Sequence, residues 1–195
     1  VDLPAFGTVD LTHPQVGGFK TYTEELVSAL ATVDSVNEYV LYLDRPPGER
    51  TRLPRAANVR HVVVPAAWPL VGTAVREQLS VARRIERDRI DVLHELCQTA
   101  PLRLSCPLVV TIHDTIWLDR ERTPGRGVYR SAHRALMGLY QRLIGARAAA
   151  QAAVVVTVSE ASRRRIVERL RVDRDRVVVT HEAARPLFRP IEDAD

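Results

Sequence analysis

Two adjacent glycines, Gly17 and Gly18, stand at the mouth of a segment of helical period, "HPQVGGFKTYTEELVSAL" (His13 to Leu30). Two chemistries want bare backbone there. A tight strand-to-helix turn uses the positive φ that glycine adopts cheaply. Exposed N–H groups at the positive end of a helix dipole instead seat a phosphate or another anion. Lys20, in the first turn, either adds a point charge to such a phosphate or lies solvated on the helix. A second constellation is "IHDT" (Ile112 to Thr115), in which His113 is a candidate catalytic residue. An imidazole there positions a hydroxyl or serves as acid or base, with Asp114 capping the turn or orienting a partner; the plainer reading is a strand-end histidine of the core. Neighbours on a strand point to opposite faces, so the pair is not automatically an acid–base couple. The third is a ridge of Arg126, Arg130 and Arg134 at successive steps of four, with Leu136, Leu139, Leu143 and Ile144 supplying an apolar side. Such a basic amphipathic helix suits anionic lipid or a phosphorylated acceptor, or else is a solvated face.

These residues need elements to hold them. "EYVLYL" (Glu38 to Leu43), "VRHVVV" (Val59 to Val64), "DVLHEL" (Asp91 to Leu96), "PLVVTIH" (Pro107 to His113), "AVVVTVS" (Ala153 to Ser159) and "RVVVTH" (Arg176 to His181) read as strands, and "VDL" at the start as the tail of a first strand. Continuous Val/Ile/Leu runs suit parallel strands covered on both faces. Helical periods fall at Gly18 to Thr32, Val71 to Asp88, Arg126 to Gln151 and Ser159 to Arg171, the last with Ser159 as N-cap and Glu160 in its first turn. The alternation predicts an α/β, Rossmann-like doubly wound, mainly parallel sheet with helices on both faces. Ligands of such a sheet sit beyond the carboxyl ends of the strands. That filter selects the Gly17–Gly18 loop, the segment from His94 to Gln98, "IHDT", Ser159 with Glu160, and "THEA" (Thr180 to Ala183), while His61 and His133 fall inside a strand and a helix. No G-x-G-x-x-G is present, so a dinucleotide fingerprint is absent.

At 195 residues, with 46% hydrophobic and 27% charged, the chain is long enough and apolar enough for a packed core. The net charge of +4 comes almost wholly from arginine, with Lys20 the only lysine. Aromatics are 5% of the chain, and neither interleaved aromatics nor a known nucleic-acid module accompanies the arginines, so nucleic-acid binding is discounted. Cys97 and Cys106 are too few for a zinc motif or disulfide framework and read as reduced thiols. No apolar run reaches membrane-spanning length and no signal peptide is visible, which predicts a cytoplasmic protein.

Four segments, in order, resemble the N-terminal half of a retaining GT-B glycosyltransferase of family 4: "GGFKTYTEELVSAL", "DVLHELCQTAPL", "VVTIHDTIWL" and "AAVVVTVSEASRRRIVERLRVDRDRVVVTHEAARPLFRP". The resemblance spans nearly the whole chain. It implies a nucleotide-sugar donor whose diphosphate lies against Gly17 and Gly18, with Lys20 beside it, and a transferred sugar near His113. Ser159 and Glu160 match the family's hallmark helix and read as a structural cap. The resemblance also implies that most nucleotide contacts come from a second Rossmann-like domain, which places residues 1–185 in the acceptor-side domain and residues 186–195 at the start of a linker. No metal or separate cofactor is expected. The acceptor is open, with a lipid-linked or anionic molecule suggested by Arg126, Arg130 and Arg134, and with it a peripheral contact at the inner face of the membrane. "THEAARPLF" departs from the family's commoner Asn-Gly version of that segment. The rival reading is a non-catalytic α/β binding domain that keeps the scaffold without the chemistry.

Overall fold

A computed structural model describes residues 4–6, 18–48, 51–66, 72–119 and 128–184; the side chains of 4–6 and 128–134 lie outside that description. Seven strands form one sheet: β1 (Pro4–Phe6), β2 (Tyr39–Leu43), β3 (Val59–Val63), β4 (Val92–Glu95), β5 (Leu108–Thr111), β6 (Val154–Thr157) and β7 (Val177–Val179). Their order is β3-β2-β1-β4-β5-β6-β7, and every neighbouring pair is parallel. The doubly wound architecture expected from the Val/Ile/Leu runs is therefore present. The expected strand tail "VDL" lies outside the described residues; the described part of the first strand opens at Pro4, and Ala5 and Phe6 pair with both β2 and β4.

β2 shows why the strands read as continuously apolar. All five of its residues are buried. Tyr39, Leu41 and Leu43 pack with Val27 of helix α1 (Gly18–Val33), whereas Val40 and Tyr42 pack with Val81 and Ile85 on the other side. A period of two thus serves two cores, each burial of a large apolar side chain being worth about 1.5–3 kcal/mol. β2 and β3 are joined by residues 44–58, whose described part contains no helix, unlike the usual parallel crossover.

The helical stretch expected from Val71 to Asp88 is broken into α2 (Gly72–Val75), a π-turn (Arg76–Val81) and α3 (Ala82–Asp88). The wider π-turn brings Arg76 and Glu77 inward, to 5% and 6% exposure. Arg76 donates to the carbonyl of Val64. Glu77 accepts from Tyr140 (2.7 Å), Gln78 (2.9 Å) and Thr99 (2.7 Å). Burial raises the Glu77 pKa, and the three donors oppose that rise.

Helix α4 (Val128–Gln151) does not use its expected apolar side for core packing. Leu136, Leu139 and Leu143 are 42–48% exposed and do not form its packed side. The core contact is made by small residues, Gly145, Ala148 and Ala149, with Ala152 just past the helix end, which let the backbone lie close to the sheet. Helix α5 (Glu160–Leu170) starts as expected: Ser159 Oγ accepts from the Ser162 N–H at 3.1 Å. Among the described residues, no helix is long and apolar enough to cross a membrane.

Candidate functional site

The strand order places the topological switch point between β1 and β4, and α1 opens above it. Two residues past β5, His113 meets the first turns of α1. Phe19 and Tyr22, one helical turn apart, each approach its ring edge-on, with centroids 4.9 and 4.7 Å away and interplanar angles of 86° and 88°. The expectation that α1 and the "IHDT" segment share one crevice is met in space.

The backbone beneath His113 is fixed from β6 and α5. Ile112 donates to the Val156 carbonyl at 2.8 Å, Thr157 Oγ1 donates to the Ile112 carbonyl at 2.7 Å, and Ser162 Oγ donates to the His113 carbonyl at 2.9 Å. The hallmark serine helix therefore caps itself through Ser159 and holds the strand end through Ser162. Asp114 is spent on the turn: its Oδ1 accepts from Ile116 N–H at 2.9 Å, and its carbonyl accepts from Trp117 Nε1 at 2.8 Å. Trp117 in turn lies against Gly145 of α4, where a Cβ would fall 2.9 Å from the indole and 3.1 Å from the Gln98 carbonyl. Glycine is needed there for close approach, not for its backbone freedom.

His113 is largely buried, and its Nδ1 lies 3.2 Å from Oε1 of Glu182, in the segment after β7. Burial lowers the imidazole pKa, and the Glu182 carboxylate pulls in the opposite direction. Nε2 is buried and has no hydrogen-bond partner among the described residues. Behind it, Tyr22 has its phenol pKa raised by burial, with a hydrogen bond to Thr111 opposing. Thr111 Oγ1 also meets His94 Nε2 at 2.8 Å. Burial lowers the pKa of His94 to about 4, so this ring is neutral near pH 7. The site thus offers a shielded imidazole between two aromatic edges, chemistry suited to hydroxyl binding or proton transfer.

The other expected site residues separate. Gly17 lies outside the described residues. Gly18 opens α1 where, among the described residues, a Cβ would meet nothing within 4 Å, and its φ is not in the left-handed region. The tight-turn reading therefore does not account for Gly18. Lys20 is not a solvated helix lysine: it is buried, with Nζ 3.9 Å from Glu24 Oε1, and Glu24 also accepts from the Arg52 N–H at 2.9 Å. Arg126 lies outside the described residues; Arg130 and Arg134 are in α4, their side chains outside that description. His61 sits inside β3, as its position in the sequence indicates.

Sequence reasoning selected "THEA" by position but did not single out Glu182, and it gave no role to Phe19 or Tyr22. The signal for the aromatic pair was present: two rings at i and i+3 immediately after the glycines. The contact between residues 113 and 182 leaves no local trace. Among the described residues, no group of three or more His, Cys, Asp or Glu side chains is arranged to hold a metal ion.

Compared with known proteins, residues 16–183 match the family described as Glycosyltransferase Family 4. A solved structure, the crystal structure of a glycosyltransferase from Rickettsia africae ESF-5, is similar over 92% of this chain and 43% of that chain, at 12% identity and a TM-score of 0.50. That likeness is one of fold, and this chain spans less than half of that neighbour's length. No curated protein matches.

Proposed function

Because this chain belongs to glycosyltransferase family 4, we propose that it forms the acceptor-side wall of a cleft in which a sugar passes from a nucleotide-sugar donor to an acceptor hydroxyl with retention of configuration. The observation that carries this reading is the joining of His113 to the mouth of α1 through Phe19 and Tyr22. Gly18 supports it, since among the described residues nothing crowds its Cβ position where a diphosphate would approach the backbone. In this reading His113 contacts the transferred sugar, and Gly17 and Gly18 lie against the diphosphate. Lys20, held in the first turn of α1 by its pairing with Glu24, lies beside the diphosphate. The donor is a substrate, with no metal or separate cofactor required. The acceptor is a lipid-linked or anionic molecule approaching Arg126, Arg130 and Arg134 near the inner face of a membrane, and the rest of the nucleotide is held by a second domain.

The test is sugar transfer by the intact protein from a panel of nucleoside-diphosphate hexoses. His113→Ala should lower kcat by about 100-fold, the scale of a positioned acid–base or hydroxyl-binding group, with an unfolding midpoint within about 5 °C of the parent. A variant that melts much earlier and keeps its kcat returns His113 to the core. An intact protein that binds donors and transfers nothing favours the non-catalytic binding domain instead.

A further inference from the structure

We propose that Glu182 is the positioning residue of His113: its carboxylate accepts the Nδ1 proton, fixing the ring's tautomer and its flip state in the crevice. The functional meaning of this pairing rests on His113 being the sugar contact; the pairing itself does not.

The argument begins with what the aromatic contacts leave undecided. Phe19 and Tyr22 set the plane of the imidazole by meeting it edge-on, but a half-turn about Cβ–Cγ preserves that plane and exchanges nitrogen for carbon. Only a polar partner separates the two flips. Of the polar groups facing the ring, the Tyr22 hydroxyl is turned to Thr111, and Asp114, whose charge also acts on the ring, has Oδ1 committed to the Ile116 N–H. The Leu96 carbonyl after β4 lies beside the ring and is an acceptor only. Glu182 is the carboxylate that reaches it, at 3.2 Å. Burial is the larger influence on the ring and favours the neutral form, so the tautomer decides what His113 can do. With the proton held on Nδ1, the lone pair is on Nε2, the ring atom without a partner among the described residues.

The segment bearing Glu182 is itself tied to the sheet. Thr180 donates to the Thr157 carbonyl at 2.8 Å, and His181 Nδ1 lies 3.2 Å from the Val158 carbonyl. Both contacts run beside the end of β6, which carries residue 182 across to the strand end beyond β5. Glu182 therefore couples the exit of the last strand to the crevice.

Nitrogen-15 labelling of the six histidines in the intact protein, with ring correlation spectra across pH, tests this directly. The parent should show His113 as the Nδ1–H tautomer. Glu182→Gln, which retains an acceptor oxygen and loses the charge, should keep that tautomer and titrate at lower pH. Glu182→Ala should titrate lower as well and drift towards the Nε2–H form that a histidine side chain in water prefers. In transfer assays, Glu182→Ala should reduce kcat by about two- to fivefold, the effect of a half-exposed ion pair, with KM for the donor unchanged, and Glu182→Gln should recover part of the loss. An unmoved titration and tautomer in both variants overturns the proposal. Loss of the pairing alongside normal transfer overturns the positioning role alone, while intact spectra in a protein that transfers no sugar overturn the functional reading and leave the pairing standing.

Discussion

Gly18 separates two demands that a sequence cannot tell apart. Glycine before a helix is equally apt for strained backbone and for close approach of a ligand, and it is the ordinary φ of Gly18 that removes the first, with its Cβ position open among the described residues. It follows that Gly18→Val leaves folding intact, with stability within about 0.5 kcal/mol of the parent, while the new side chain obstructs a diphosphate at the helix mouth. The expected result is transfer reduced at least tenfold in a protein whose thermal midpoint is unchanged; full activity would remove the diphosphate from this position. Legibility at this scale was uneven. His113 was readable because a histidine closing an apolar strand stands out, and the carboxyl-end rule says where strand ends gather. Its partner was not, since Glu182 is an ordinary acidic residue in a polar segment and meets His113 only after three strands have been laid side by side. The solvated reading of Lys20 failed, because burial beside Glu24 depends on how α1 sits against residues 51–52.

At the scale of elements, the "IHDT" turn is secured from behind by α4. Trp117 bridges them, with its indole N–H on the Asp114 carbonyl and its ring over Gly145. Gly145→Ala would push a methyl group into the indole and the Gln98 carbonyl. Helix propensity favours alanine by up to about 1 kcal/mol, but overpacking of this kind costs about 1–3 kcal/mol, and the second effect should win. Urea unfolding should show a net loss of stability; a gain would mean that the indole moves aside freely. The elements themselves were largely legible, since strands such as "YVLYL" are apolar on both faces for the stated physical reason. What failed was orientation and continuity. The leucines supply an apolar side of α4 that stays exposed, while tight approach to the sheet selects Gly145, Ala148 and Ala149, and periodicity gives no weight to small size. The π-turn at Arg76–Val81 was equally invisible, because one extra residue in a turn leaves the average period nearly unchanged.

For the molecule as a whole, the described residues provide one side of a crevice: a helix mouth, a shielded imidazole and two aromatic edges. Transfer of a glycosyl group builds charge on a departing diphosphate, and stabilising it takes preorganised donors and exclusion of water from more than one side. Residues 1–195 on their own should therefore bind nucleoside-diphosphate sugars at millimolar strength or weaker, above about −4 kcal/mol, and transfer none. Micromolar binding by calorimetry would show that this wall alone is a complete site. The doubly wound, parallel architecture was legible at this scale because alternating strands and helices of these lengths leave few ways to wind a parallel sheet. The lodging of Trp117 against Gly145 carries one more consequence, and it is optical. The chain has two tryptophans, Trp68 and Trp117, so replacing Trp68 with phenylalanine leaves a single emitter four residues from His113, with its indole N–H bonded to the intervening turn. Any ligand that shifts that turn alters the surroundings of the indole, and the protein carries within its own fold a fluorescent readout of what enters the crevice.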